Sequence, residues 1–230
     1  MVINGIVFDL DGVIAFTDKF HYKAWKMVAE RLNAPFDEVL NNRLRGVSRM
    51  ESLNIILSNA GLDLSPEKRE NIAFVKNEIY RFLLSELSPA SIDPDTRETL
   101  KILRSHGIKL AIGSSSKNAP LILEKTGLTE YFDAVSNGNN ISRPKPDPEV
   151  FLKAAAFIGL SPSECAVVED AAAGIDAAKN GGFYAIGIGD AAKYPRADLR
   201  IASLKELLTL MDGGKFCVVI DIRDCSQTGL

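Results

Sequence analysis

Apolar residues gather in four short runs bounded by turn-forming residues: Ile3 to Leu10, Ile108 to Ile112, Cys165 to Val168 and Tyr184 to Ile188. Each is short and nearly continuous, which predicts strands buried on both faces of a parallel sheet. Between them lie stretches with helical spacing at Arg97 to Ser105, Ala119 to Thr126, Pro148 to Ile158 and Ala171 to Asn180, several followed by a glycine placed to end a helix. Strand alternating with helix predicts an α/β fold built on a doubly wound, Rossmann-like parallel sheet.

The alternation breaks once. From Thr17 to Leu87 the pattern is helical throughout, with Phe20, Ala24, Met27 and Val28, then Leu53, Ile56 and Leu57, then Ile72, Val75, Ile79 and Phe82 recurring at helical spacing. This predicts a helical cap domain over residues 16–88, inserted into a core formed by residues 1–15 and 89–212. Asp11-Gly12-Val13 and Ser88-Pro89-Ala90-Ser91 are the expected hinges, because small and turn-forming residues absorb backbone rotation. Residues 213–230 form a tail of no assigned role, although Phe216 to Ile222 has the pattern of a strand.

An open parallel sheet binds its ligands beyond the carboxyl ends of its strands. The residues just past the apolar runs are Asp9 and Asp11 in Phe8-Asp9-Leu10-Asp11-Gly12-Val13, Ser114 in Gly113-Ser114-Ser115-Ser116-Lys117-Asn118, and Glu169-Asp170. Lys145 sits in the proline-rich loop Arg143-Pro144-Lys145-Pro146-Asp147-Pro148. Four carboxylates meeting at one sheet edge repel unless a hard cation lies among them, and Mg²⁺ suits a few carboxylates together with water and a phosphate oxygen. One carboxylate can attack phosphorus and a second can move the proton of the leaving or accepting oxygen. A serine hydroxyl and a lysine ammonium can hold the equatorial phosphoryl oxygens. Taken singly, each feature has a plainer explanation: a turn cap for the Asp pair, a helix N-cap for the serines, a solvated loop cation for Lys145, an acidic helix start for Glu169-Asp170. Their joint occurrence, each after an expected strand, favours chemistry.

The segments FDLDGV, GSSSKN, RPKPDP and VVEDAAAGIDAAKNGG resemble the four motifs of the haloacid dehalogenase-like superfamily, over roughly residues 1–190. The resemblance implies Asp9 as nucleophile, Asp11 as general acid/base, and Ser114 and Lys145 as phosphoryl ligands. It also implies Glu169 and Asp170 as magnesium ligands, joined by Asp9 and the main-chain carbonyl of Asp11. Within the superfamily, the cap residues His21, Trp25, Arg45-Gly46-Val47-Ser48-Arg49, Ser52 and Lys76-Asn77 resemble those of phosphosugar mutases. That likeness implies that Arg49 clamps the phosphate not being transferred, together with Ser116, Lys117 and Asn118, while Lys76 and Ser52 touch the sugar. Gly46, Val47, Ser48 and Ser115 join the substrate-binding set, and Thr17 and His21 the catalytic set. Trp25 joins the substrate-binding set by likeness, although its place on an amphipathic helix favours cap packing. Phe16 departs from the pattern, in which an acidic or polar residue is common, and puts the hinge and the tuning of Asp11 in question.

Composition narrows the rest. With 230 residues, 46% of them hydrophobic, the chain is long enough to bury a substantial core. The 27 basic and 30 acidic residues are intermixed, which predicts no nucleic-acid partner. The three cysteines, Cys165, Cys217 and Cys225, show no disulfide or zinc spacing, and no leader or membrane-length apolar run is apparent, so a cytoplasmic monomer acting on a small phosphorylated sugar is expected. The implied activity interconverts beta-D-glucose 1-phosphate and glucose 6-phosphate through an aspartyl-phosphate enzyme and a bound 1,6-bisphosphate. The alternatives are a sugar-phosphate phosphatase on the same core and a binding protein without turnover.

Overall fold

The computed structural model describes residues 1–45 and 47–218. In chain order the elements are β1 (Val2–Ile3), β2 (Gly5–Phe8), α1 (Asp18–Arg31), α2 (Glu38–Asn42), α3 (Arg49–Asn59), α4 (Pro66–Leu83), α5 (Pro94–Ser105), β3 (Lys109–Gly113) and α6 (Ala119–Thr126). They continue with β4 (Ala134–Ser136), α7 (Glu149–Phe157), β5 (Cys165–Glu169), α8 (Ala172–Asn180), β6 (Tyr184–Ile188), β7 (Leu199–Ile201), β8 (Met211–Asp212) and β9 (Lys215–Cys217).

Six strands form one parallel sheet in the order β4-β3-β2-β5-β6-β7, with helices on both faces. The chain winds from central β2 out to one side through β3 and β4 and to the other through β5, β6 and β7, so the topological switch lies at β2 and the site belongs at its carboxyl end. Every residue of β2 and β5 is buried, as their uninterrupted apolar character requires. β4 and β7 were not legible as apolar runs because each is a three-residue edge strand with partly exposed positions. The expected strand from Ile3 to Leu10 divides. Ile3 pairs antiparallel with Phe216 in a small second sheet, β1-β9-β8, while Asn4 steps across and Gly5–Phe8 enter the main sheet. The amino-terminal part of the Phe216–Ile222 run is thus a strand, and residues 219–222 lie outside the described residues.

The insert is helical from Asp18 to Leu83. Asp37, Ser48 and Ser65 cap α2, α3 and α4 by accepting from the backbone amides of Leu40, Glu51 and Lys68, which satisfies donors a helix start leaves open. Trp25, Val28, Leu40, Leu53, Ile56 and Leu57 bury one another between α1, α2 and α3. Burial of each such large side chain is worth about 1.5–3 kcal/mol. Met27 and Phe82 depart from the expected apolar stripe, at 42% and 77% exposure. On α4 the buried residues are Ala73, Lys76 and Tyr80, so a lysine sits on the inward face where the pattern suggested only hydrocarbon. At the hinge, Phe20, Ala24, Tyr80 and Leu84 join the same apolar cluster as Phe8, Val13 and Ile112 of the core. No helix among the described residues is long and apolar enough to cross a membrane.

Candidate active site

Parallel register sets the heart of the site. Phe8 lies opposite Ile112 of β3 and Val168 of β5, so Asp9, Ser114 and Glu169 emerge at neighbouring positions on one sheet edge. The Asp9 amide donates to the Val168 carbonyl at 2.9 Å, and that of Ser114 to the Ser136 carbonyl at 3.1 Å, extending the ladder to the reacting residues themselves. Two glycines permit the crowding. Gly12 has φ of 90°, and a Cβ there would stand 2.2 Å from Asp170 Oδ2. A Cβ on Gly174 would stand 2.0 Å from Glu169 Cδ, so only glycine lets α8 start against that carboxylate.

Lys145 is buried at the centre, its Nζ 2.5 Å from Asp9 Oδ1 and 2.7 Å from Glu169 Oε2, with the Phe151 ring beneath it at 4.6 Å. Burial opposes its charge, but the two carboxylates outweigh burial and raise its pKa. Burial pushes Asp9 well above the usual carboxylate range, opposed by Lys145 and reinforced by Glu169 and Asp11. Asp170 is pushed up to about 8 by burial, with Glu169 adding to the effect. One oxygen each from Asp9, Glu169 and Asp170 lie within 4.8 Å of one another. Three converging carboxylates of which at least two resist ionisation side by side are a hard, all-oxygen donor set, and they fit Mg²⁺.

The Asp11 side chain stands apart from this cluster. Its Oδ1 accepts from the Thr17 hydroxyl and, at 3.5 Å, from that of Tyr80, and its Oδ2 lies 3.4 Å from Ser114 Oγ. Burial raises the Asp11 pKa, with Thr17 working the other way and Asp18 adding to the rise. Phe16 is 65% exposed and makes none of these contacts, so the hydrogen bonds to the Asp11 carboxyl come from Thr17, Tyr80 and Ser114.

Across the cleft the cap presents cations. Lys76 Nζ lies 2.8 Å from His21 Nδ1 and above the rings of Trp25 and Tyr80 at 4.9 and 4.6 Å. Burial, then Arg49, brings its pKa down to about 7. The His21 ring lies 4.0 Å from that of Tyr80, and burial followed by the Lys76 and Arg49 charges holds its pKa well below the ordinary value. With the Lys76 ammonium as donor to Nδ1, the neutral ring would carry its proton on Nε2, which lies 3.9 Å from Asp11 Oδ1. Arg49 opens α3 half-buried, with Nη1 3.5 Å from the Ala73 carbonyl and no carboxylate partner among the described residues. Asn77 on α4 accepts from Asn118 Nδ2 at 2.8 Å, joining cap to core beside the serine loop. In that loop the Ser116 amide donates to Ser114 Oγ, and the Asn118 amide to Ser116 Oγ, both at 3.1 Å.

One cleft of about 510 Å³, the size that takes a small metabolite, brings these together. Asp9, Asp11, Ser114, Lys145 and Asp170 line its floor, Ser115, Ser116, Lys117 and Asn118 its side, and His21, Trp25, Val47, Ser48, Arg49, Ser52 and Lys76 its roof. Thr17 and Glu169 are fully buried behind this lining, Trp25 both lines the cleft and packs in the cap core, and Gly46 lies outside the described residues. The Ser115 hydroxyl is buried with no hydrogen-bond partner. Sequence reasoning missed Tyr80, whose signal was its place four residues after Lys76 on one helix face, and Asp18, which had none. It missed Met50 and Phe74 at the cleft mouth as well.

Residues 3–182 match the model of a hydrolase family described as haloacid dehalogenase-like hydrolase. The chain belongs to that family. It is 40% identical to the beta-phosphoglucomutase of Bacillus subtilis (strain 168), over 89% of this chain and 92% of that protein. It is also 30% identical to a phosphorylated carbohydrates phosphatase of Thermotoga maritima, over 80% of this chain and 84% of that one. Among solved structures, the beta-phosphoglucomutase of Clostridium difficile superposes with a TM-score of 0.84 at 35% identity, covering 89% of this chain and 93% of the other.

Proposed function

We propose that this chain is a phosphosugar mutase that interconverts beta-D-glucose 1-phosphate and glucose 6-phosphate by way of a phosphorylated Asp9 and a bound 1,6-bisphosphate. The observation that carries the reading is the second set of cations. A phosphatase needs one phosphate subsite, whereas the cleft sets Arg49 and Lys76 on the cap opposite Lys145 and Asp9 on the core. A bisphosphate held at both ends is what such a cleft fits.

In the first half-reaction an Asp9 carboxylate oxygen attacks the phosphorus, forming an acyl phosphate as the bond to the sugar oxygen breaks. Lys145 and the Ser114 hydroxyl hold the equatorial oxygens, already placed by pairing to the two carboxylates and by the Ser116 amide. Asp11, whose pKa burial raises toward that of a proton donor, gives a proton to the departing oxygen and takes one from the accepting hydroxyl in the reverse step. Thr17 and Tyr80 fix its carboxyl in place, and His21 stands ready to support the carboxylate that remains. Asp9, Glu169 and Asp170 would hold Mg²⁺, which offsets the negative charge gathered between the nucleophile and the phosphoryl group. For the second half-reaction the bisphosphate turns end for end, and Arg49 takes the phosphate that Asp9 has released.

The core alone would serve a phosphatase equally well, and the Thermotoga relative bears such a name. The test is glucose 6-phosphate formation from beta-glucose 1-phosphate with a trace of bisphosphate, measured beside inorganic phosphate release. Mutase turnover should exceed phosphate release by at least about 100-fold, because a closed cap excludes water, and both should stop with a chelator and return with Mg²⁺. Phosphate release faster than glucose 6-phosphate formation would replace the mutase with a phosphatase, and full turnover in chelator would remove the metal.

A further inference from the structure

Between α2 and α3 the chain carries Arg45, which takes no part in the chemistry above. Its guanidinium is held by two carboxylates at once: Nη2 lies 2.5 Å from Asp18 at the start of α1, and Nη1 2.7 Å from Asp190. Asp18 belongs to the cap. Asp190 belongs to the core, 145 residues from Arg45, on the 3-10 turn Gly189–Lys193 that follows β6. One side chain lining the cleft therefore ties the two bodies together.

Both ends of the tie are anchored to working parts. The core turn is bonded to the proposed metal-ligand segment, the Ala191 amide donating to the Asp170 carbonyl at 3.0 Å. On the cap side, the chain runs from Arg45 to the Ser48 cap and Arg49. The charges give the contact a direction. Asp18 and Asp190 lie on opposite sides of the cap-to-core contact, and without a cation between them their like charges would oppose closure. Arg45 turns that repulsion into attraction, and Asp18 presets the planar fork, so less freedom is lost when Asp190 is met. Asp190 is 76% exposed, which keeps the contact weak enough to break in every catalytic cycle.

We infer that Arg45 and Asp190 form a cap-to-core latch that positions the cap over Asp9 and so sets the share of phosphoryl groups passed to sugar rather than to water. Arg45 is here a positioning residue. The partition between sugar and water rests on the mutase reading, whereas the effect on cap closure does not.

The test uses Asp190, which is exposed and outside the catalytic and binding sets, in three variants of the full chain with Mg²⁺. Asp190→Asn removes the contact, Asp190→Lys makes it repulsive, and Asp190→Glu keeps the charge. Inorganic phosphate released per glucose 6-phosphate formed should rise about 2- to 5-fold in Asp190→Asn, the scale of one exposed ion pair, and further in Asp190→Lys. Asp190→Glu should stay within about twofold of the native protein. KM for beta-glucose 1-phosphate should rise with little change in kcat, thermal midpoints should match the native chain, and small-angle scattering should show Asp190→Lys expanded. Partition and scattering unchanged in both Asp190→Asn and Asp190→Lys would overturn the latch, as would Asp190→Glu behaving like Asp190→Lys. A native chain that forms no glucose 6-phosphate would sink the mutase reading alone, leaving the scattering of Asp190→Lys to decide the closure.

Discussion

The floor and the roof of this cleft solve opposite electrostatic problems. On the floor, Lys145 lies between Asp9 and Glu169 at 2.5 and 2.7 Å, so much of the buried charge is already paired. On the roof, Lys76 and Arg49 face each other's field with neutral partners, a histidine nitrogen and a main-chain carbonyl. Burial pulls both pKa values down, helped at Lys76 by the Arg49 charge and opposed at Arg49 by Glu78. A paired network stays rigid without substrate. A cluster of unpaired cations stores unfavourable free energy that an incoming phosphate releases, and this free energy becomes binding and closure.

The largest expected effect breaks the floor. Asp9→Asn keeps the shape and removes the nucleophile, so turnover should fall by on the order of 10⁴-fold. Its thermal midpoint should not fall, because a crowded carboxylate is lost while Glu169 still pairs Lys145. Activity within about a hundredfold of native would show that Asp9 is not the covalent residue.

Next comes the roof. Arg49→Ala deletes one charge-assisted phosphate contact, expected to cost about 2–3 kcal/mol, roughly 30- to 150-fold in kcat/KM for glucose 6-phosphate formation. Phosphate release should change far less, since Asp9, Ser114 and Lys145 remain. Equal losses in both would mean that floor and roof are not separable in the way their charges suggest.

The smallest effect concerns stability and has the opposite sign. Lys76→Met removes a buried cation from among Trp25, Tyr80 and His21, and should stabilise the fold by about 1–3 kcal/mol near neutral pH while weakening substrate binding. The pH dependence follows from the lowered value of about 7 against 10.5 for a free lysine. Between these values the unfolded chain binds a proton that the folded site has lost, so the native protein gains stability as pH rises through the window. The advantage of Lys76→Met should therefore be greatest below about pH 7 and fade toward pH 10.5. Denaturant midpoints across that range measure it, and a destabilised Lys76→Met at pH 7 would show that Lys76 is paired, against the picture of a waiting cation.

The floor was legible in the sequence to a degree the roof was not. Its residues follow continuous apolar runs, and parallel register carries whatever follows such runs to one edge, so local pattern was enough to bring Asp9, Ser114, Glu169 and Asp170 together. The short strands Ala134–Ser136 and Leu199–Ile201 escaped because edge strands need little apolar surface. On α4, periodicity pointed to Ile72, Val75, Ile79 and Phe82; Ile72 and Ile79 do pack against the cap core, but Phe82 lies exposed and packing turned Lys76 and Tyr80 inward. Helical spacing says which residues share a face but not which face meets the cleft.

By itself, then, the sequence determined the α/β alternation, the helical insert and the order in which carboxylate, hydroxyl, ammonium and carboxylate pair reach the sheet edge, because these depend on the chain's near neighbours. Only the tertiary structure decided that Thr17 and Tyr80 hold Asp11, that Lys76 binds its proton less tightly than a free lysine, and that Arg45 spans from Asp18 to Asp190. Each of these depends on elements distant in sequence meeting in a space of low dielectric, where a few ångströms decide whether a charge is paired, strained or neutral.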